Sequence, residues 1–503
     1  MYRILFVCIF AMLGTSHLQA QAPKKPVKQT GTPKTIAVTK TVKEAYQIPV
    51  TILPYKNTKI YMGSYYGKSN TLVDSAMLDA DSKGVFKGNK KLTPGIYFLV
   101  SPQYSIICEF LMDNEQKFSI YHDTLNRTET KIIGSIDNEL FKQYSSFSIT
   151  KGRKIQQLNE ALAKATTTND STILREQLRA ENQSLQQYRN NIIKKYPASL
   201  LTALFNAMKQ PEVPEIPIVN GKADSTYPYR YVKEHFWDDV NFYDDRLLRT
   251  PFFESKVDDY FKRFVVPDAD SIYPEVKYML LMARTGKEMY PYLLTKFTNK
   301  YINPEYMGLD KVFLNIFEDF YAKGDTVYLS AAGKKTVFER AYSIMANQLG
   351  SPAPALVLSD TLNKIADLYA LKSKFTMVVF WDPTCGHCKE EIPRLDSMYR
   401  AKWKNLGMMV YSVNVNEAKM TEFKQFIAEK GISKNWVQAY QNKKSRDDEA
   451  AAGLPNYRQL YDVYKTPTLY LLDEKKQIIA KQLTIEQFDE ILTVKLKRDN
   501  KAK

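Results

Sequence analysis

Two cysteines separated by two residues, Cys385-Gly386-His387-Cys388, form the pattern in this chain best suited to chemistry. Such a pair can pass a disulfide along. One thiolate attacks a disulfide sulfur, and the second thiol reaches back to release the captured partner. The flanking residues say what holds the pair. Met377-Val378-Val379-Phe380 is an apolar run suited to a buried strand, and Trp381-Asp382-Pro383-Thr384 turns out of it. Cys385 then opens a helix through Lys389, Glu390, Glu391 and Ile392. Free backbone N–H groups and the helix dipole favour an anion there, so Cys385 is the expected nucleophile and Cys388 the resolving thiol. One turn later, Pro393 can kink the helix without removing a bond that the site needs.

Other uses of the pair fit less well. A two-residue loop closes little chain entropy, so a purely structural staple would contribute little. Haem attachment requires His where Lys389 stands. A structural zinc site needs further ligands, but there is no second C-x-x-C, and only His122, His235 and His387 follow the leader-like start. Peroxidase chemistry expects a Thr three residues before its cysteine and a Pro four before that, a spacing that Pro383-Thr384-Cys385 lacks. No cofactor and no metal are expected. Asp238, Asp239, Asp244 and Asp245 cluster near His235, which reads as a solvated face more readily than as a metal site. Cys108 shares a strand face with Ile106, Phe110 and Met112, as expected for a buried, inert thiol.

Far downstream, Tyr464-Lys465-Thr466-Pro467-Thr468-Leu469-Tyr470-Leu471-Leu472 sets a proline just before a strand-like run. Together with the earlier C-x-x-C strand and helix, this closely resembles the thioredoxin fold. The lead-in from Gly350-Ser351-Pro352-Ala353-Pro354 through Val357, Leu358 and Asp360 resembles periplasmic thioredoxin-like proteins of the TlpA/ResA type. The resemblance covers roughly 350–495 and includes the run Met408 to Val415 and a terminal helix. It implies a thiol–disulfide oxidoreductase with catalytic Cys385 and Cys388, modulated by Gly386, His387, Trp381, Thr466 and Pro467. It also implies a cis proline lying against the cysteines, with backbone free to pair with an extended substrate strand. Three positions depart from thioredoxin itself: Thr384 replaces a Trp, Val379 a buried acid and His387 a Pro. Cys-Gly-His-Cys matches the disulfide isomerase dipeptide, in which His favours the reduced thiolate and makes the disulfide more oxidising. Isomerase-class sites lie near about −180 mV and thioredoxin near about −270 mV. The family resemblance points instead to a reductant, so the direction stays open.

The rest of the chain must position or serve this module. Its 503 residues suggest about three domains. Short β-like runs (Val50–Leu53, Lys59–Met62, Gly95–Val100 and Ser105–Met112) alternate with turns, suggesting a small antiparallel sandwich or barrel over 46–137. From 138 the pattern turns helical. Ile155, Leu158 and Leu162 mark one stripe, and Leu174, Leu178, Leu185, Tyr188 and Ile192 another, with a turn at Thr166–Ser171 between them. A helical hairpin and further helices are expected to 349, including Val276–Met282 and Val312–Tyr321. The fold class is therefore multidomain α+β: an N-terminal antiparallel β-domain, a central mainly α-helical region and a C-terminal thioredoxin-like α/β domain. The first two resemble modules joined to such domains in secreted proteins of Bacteroides-like bacteria.

Arg3, the 11-residue apolar run Ile4–Gly14 and Ala20-Gln21-Ala22 read as a signal peptide over 1–22, which implies a periplasmic or otherwise extracytoplasmic location. Cys8 lies inside that run, unlike a lipid-attachment cysteine. Net charge is +16, but a basic linker (23–45) and a basic tail (496–503) carry much of it. A nucleic-acid binder would carry its excess on a folded face, so no nucleic acid is expected, and weak membrane-surface contact through the ends is conceivable. The expected partners are protein thiols or disulfides and a membrane or periplasmic redox partner. The alternative from another class is a partner-binding scaffold with a redox-inactive thioredoxin-like module.

Overall fold

The structure, a computed structural model, describes residues 44–126 and 130–501. The signal-peptide expectation and nearly all of the 23–45 linker lie outside the described residues. The chain forms two compact units: one runs up to Val265 and includes Met282–Tyr290, and the other comprises Val266–Leu281 with Pro291 onward.

The first unit begins with eight strands: β1 (Tyr46–Leu53), β2 (Lys59–Tyr66), β3 (Ser69–Met77), β4 (Lys83–Gly88), β5 (Gly95–Val100), β6 (Ile106–Met112), β7 (Ser119–Asp123) and β8 (Lys131–Ile133). They form two four-stranded sheets, ordered β4-β1-β7-β8 and β3-β2-β5-β6. Pairings are antiparallel except β1 with β7, which is parallel. β5 is apolar throughout because both of its faces are covered: Tyr97 and Leu99 enter the core between the sheets, while Ile96 meets a helical layer. Cys108 packs at the edge of the inter-sheet core, and burial pushes its thiol up to about 12, as expected for an inert sulfur. Ile106, expected on the same face, is exposed, because the β5–β6 register shifts between Leu99 and Val100.

The helical layer holds α1 (Ile136–Lys164), α2 (Thr168–Lys195) and α3 (Leu200–Met208). Ile155 and Leu158 of α1 and Leu185 and Ile192 of α2 are buried, as their spacing predicts. Thr167 caps α2 by accepting the N–H of Asp170 at 3.1 Å. A two-residue-strand hairpin follows, β9 (Ile218–Val219) and β10 (Lys222–Ala223), then α4 (Tyr227–Glu234) and α5 (Phe253–Phe264). The acidic cluster dissolves into separate roles. Asp238 meets His235 at 2.7 Å, Asp239 meets Lys209 at 2.9 Å and Asp244 meets Arg246 at 2.7 Å. Asp245 accepts the N–H of Met289 at 2.8 Å. No group of residues suited to a metal ion occurs among the described residues.

The second unit takes most of α6 (Ala269–Met282) and α7 (Met289–Tyr301), then α8 (Asp310–Ile316) and α9 (Ala331–Met345). Next come β11 (Val357–Asp360), β12 (Ile365–Asp367), β13 (Phe375–Trp381), α10 (Gly386–Ala401), β14 (Met408–Asn414) and α11 (Met420–Glu429). The chain ends with β15 (Val437–Tyr440), α12 (Lys443–Ala451), α13 (Tyr457–Leu460), β16 (Thr468–Leu472), β17 (Ile478–Lys481) and α14 (Ile485–Lys501). The sheet runs β12-β11-β15-β14-β13-β16-β17. β13, β14 and β15 are parallel, while β16 lies antiparallel to β13. Every residue of β13 is buried because the strand divides two cores: Met377, Val379 and Trp381 face α10 and α14, and Val378 and Phe380 face Tyr457 and Tyr461.

A further expectation needs correcting. The tail expected to begin at 496 is the last stretch of α14, which continues to Lys501. Cations near a helix C-terminus complement its dipole, so a basic ending need not be a loose one. No helix among the described residues is long and apolar enough to cross a membrane.

Candidate functional site

Strand register brings the distant parts of the site together. β13 pairs Phe380 with Thr468 of β16, so the residues before Thr468 arrive where the chain leaves β13 toward α10. There the Thr466–Pro467 peptide bond is cis. The Cys385 thiol donates to the Thr466 carbonyl oxygen across 3.4 Å. Cys385, Cys388, Thr466 and Pro467 therefore meet at one point.

A short turn holds Cys385 in place. The Asp382 carboxylate accepts the backbone N–H of Thr384 at 2.7 Å and its hydroxyl at 2.6 Å, and the Asn416 amide bonds to its other oxygen at 2.9 Å. The Cys385 N–H donates to the Asp382 carbonyl at 3.1 Å, closing the turn. Partial burial disfavours charge on Asp382, but these hydrogen bonds outweigh it and keep the carboxyl below its ordinary range. Neither Asp382 nor Asn416 stood out in the sequence, since a lone Asp in a Pro-containing turn carries no distinctive signal.

The two sulfurs differ. Cys385, the N-cap of α10, is half-buried, and the helix has no acidic residue in its first turn. Desolvation acts against its thiolate. Hydrogen bonds from the Thr466 side chain, from the N–H and thiol of Cys388 and from the His387 N–H prevail over it, and the Cys385 thiol lies below its ordinary value. Cys388 is fully buried in the apolar cluster with Val379, Trp381 and Ile392, and burial pushes it up to about 12. At pH 7 Cys385 is thus expected to react first with iodoacetamide, with Cys108 and Cys388 protected until the protein unfolds. Mass spectrometry of partially alkylated protein reads this order, and early labelling of Cys388 would contradict it.

The remaining expected site residues differ in kind. Trp381 is buried, donates its indole N–H to Ser412 at 2.8 Å and packs against Phe423 and Phe426, so it supports the strand rather than facing solvent. Gly386 and His387 are exposed on the first turn of α10, and a Cβ on Gly386 would meet no atom within 4 Å. Val379 is fully buried among apolar side chains, with no acid in its place. Beside Pro467 lies a groove of about 320 Å³, lined by Glu391, Arg394, Lys465, Leu469 and Ile485.

A cysteine pair at the start of the crossover helix, opposite a cis proline opening the neighbouring antiparallel strand, defines a thioredoxin-like module. Residues 349–481 match the AhpC/TSA family, and residues 146–329 match a domain of unknown function, DUF5106. Thiol-disulfide oxidoreductase ResA of Bacillus subtilis is 30% identical over 162 residues, which cover 31% of this chain and 75% of that protein. ResA of Geobacillus kaustophilus is 28% identical, covering 33% of this chain and 84% of that protein. A thioredoxin-like protein from Bacteroides caccae is 21% identical with TM-score 0.42, covering 57% of this chain and 99% of that chain. The thioredoxin domain of a thiol-disulfide oxidoreductase from Bacteroides vulgatus is 28% identical with TM-score 0.25, covering 29% of this chain and 95% of that chain. The chain belongs to the ResA-type thiol–disulfide oxidoreductases.

Proposed function

We propose that the chain exchanges disulfides with proteins outside the cytoplasm, with Cys385 as nucleophile and Cys388 as resolving thiol. The observation that carries this reading is the placement of the sulfurs: Cys385 half-buried at the N-cap of α10 against Thr466 and the cis Pro467, and Cys388 fully buried behind it. The Cys385 thiolate attacks one sulfur of a substrate disulfide, forming a mixed disulfide and expelling the other substrate sulfur as a thiolate. Cys388 then loses its proton and attacks Cys385. The bound substrate sulfur leaves as a thiolate, and the Cys385–Cys388 disulfide forms. Two electrons pass from the cysteine pair to the substrate, and run backwards the same steps oxidise a dithiol. With Val379 where an acid would stand, we assign the Cys388 proton to the substrate thiolate expelled in the first step, transferred as the Cys388–Cys385 bond forms, because burial disfavours a free Cys388 thiolate.

The groove beside Pro467 supports an extended protein segment as substrate. A membrane or periplasmic thiol partner would reset the pair after each turn, and the leader-like residues 1–22 support export. We also propose that the β-domain over 46–137 and the helical hairpin that follows it, both within the first unit, recruit clients. Reduction of insulin with a dithiol donor tests the core reading. The wild-type chain should accelerate it, and Cys385→Ser should return it to the uncatalysed rate. Equal rates for the two would favour the scaffold alternative, with its redox-inactive module.

A further inference from the structure

The loop that carries Thr466 is tied down by residues well before residue 350, all within the second unit. Arg340 of α9 forms an ion pair with Asp462, their side chains only 16% and 4% exposed. Both Asp462 oxygens are occupied: Arg340 and Ser343 (3.3 Å) hold one, and Gln482 (3.1 Å) holds the other. Arg340 is itself aimed by a 3.0 Å bond from Nε to the Ile302 carbonyl. Asn347, one turn on from Ser343, donates to the Leu460 carbonyl at 2.9 Å. Asp462 adopts φ 50°, a backbone region that side-chain-bearing residues rarely occupy, and the following Val463 is buried. After Asp462 and Val463 the chain crosses exposed Tyr464 and Lys465 to reach Thr466 and Pro467.

A second tie holds β17, which pairs with the strand that follows the loop. Lys481 of β17 meets Asp310 of α8 at 2.6 Å and Asn347 at 2.9 Å, and Lys481 lies opposite Tyr470 of β16 in the sheet register. A buried ion pair is a poor general source of stability, because desolvation opposes the attraction. What a guanidinium with fixed partners supplies is direction.

We propose that Arg340 is a positioning residue for thiol exchange: by holding Asp462 it fixes loop 462–467 and seats Thr466 against Cys385, so α9 sets the reactivity of the nucleophilic sulfur. The inference rests on Cys385 being the nucleophile. It makes the helices ahead of the sheet part of the redox machinery rather than a separate attachment.

The test uses the full chain. The pH dependence of Cys385 alkylation and the reduction potential of the Cys385–Cys388 pair, titrated against glutathione, are measured for wild type, Arg340→Met and Arg340→Lys. Far-ultraviolet circular dichroism reports folding. We expect folded Arg340→Met to alkylate about tenfold more slowly at pH 7, an alkylation midpoint raised by about one pH unit, with partial recovery in Arg340→Lys. Should Arg340→Met fail to fold, Asp462→Asn, which keeps the shape of the side chain, is expected to show the same slowing. A folded variant lacking the Arg340–Asp462 pair but with wild-type midpoint and potential would overturn the proposal. A wild-type midpoint no lower than that of free cysteine would instead overturn the assignment of the nucleophile, so the two failures are distinguishable.

Discussion

Replacing Cys388 by Ser is expected to leave the protein able to capture a disulfide and unable to release it. Cys385 remains accessible at the tip of α10, so a client protein with a disulfide should accumulate as a single covalent adduct. Release would depend on an outside thiol, because the buried sulfur that lies behind Cys385 is gone. Turnover in the insulin assay should fall well below wild type, sustained only by attack of the outside dithiol on the adduct, while capture persists. Non-reducing electrophoresis followed by dithiothreitol reads both properties on one gel. Cys385→Ser should form no adduct, and equal adducts in the two variants would show that the sulfurs have been given the wrong roles.

Lys481→Ala is expected to produce the largest loss of stability. Lys481 and Asp310 have side chains 6% and 7% exposed, and removing the cation leaves the carboxylate buried without its main partner. Breaking a pair of this kind costs about 3–5 kcal/mol. At roughly 2–4 °C per kcal/mol for a domain of this size, Tm should fall by on the order of 10 °C. Replacing both members, Lys481→Met with Asp310→Leu, should restore most of that loss, because the desolvation penalty disappears with the attraction. Calorimetry on the full chain, following the transition of the second unit, checks both results. A double variant as unstable as the single would mean that packing rather than charge governs this position.

The sequence disclosed the redox module well because its parts are local. The apolar run that became β13, the helix opened by Cys385 and the proline ahead of β16 each carry a signal within a few residues. The hairpin of α1 and α2 was legible for the same reason, through its periodic stripes and the capping Thr167. What stayed hidden depends on pairs far apart in the chain. Arg340 and Asp462 are separated by 122 positions, and Asp310 and Lys481 by 171. In a chain with 71 Lys and Arg, nothing distinguishes a buried cation from a solvated one. The parallel pairing of β1 with β7 escaped for a related reason, since alternation reports which face a residue takes but not the direction of its neighbour. The end of α14 was cut short because charged residues on its exposed side look like the onset of a tail.

The ties from α8 and α9 also bear on how the redox module should be handled at the bench. A fragment starting at residue 350 would retain every residue of the cysteine site and the whole sheet, yet it would strip Lys481 of Asp310 and Asp462 of Arg340. Potentials and rates measured on such a fragment would describe a loosened relative of the protein. Expression designs that begin at Val266, where the second unit begins, keep those partners in place.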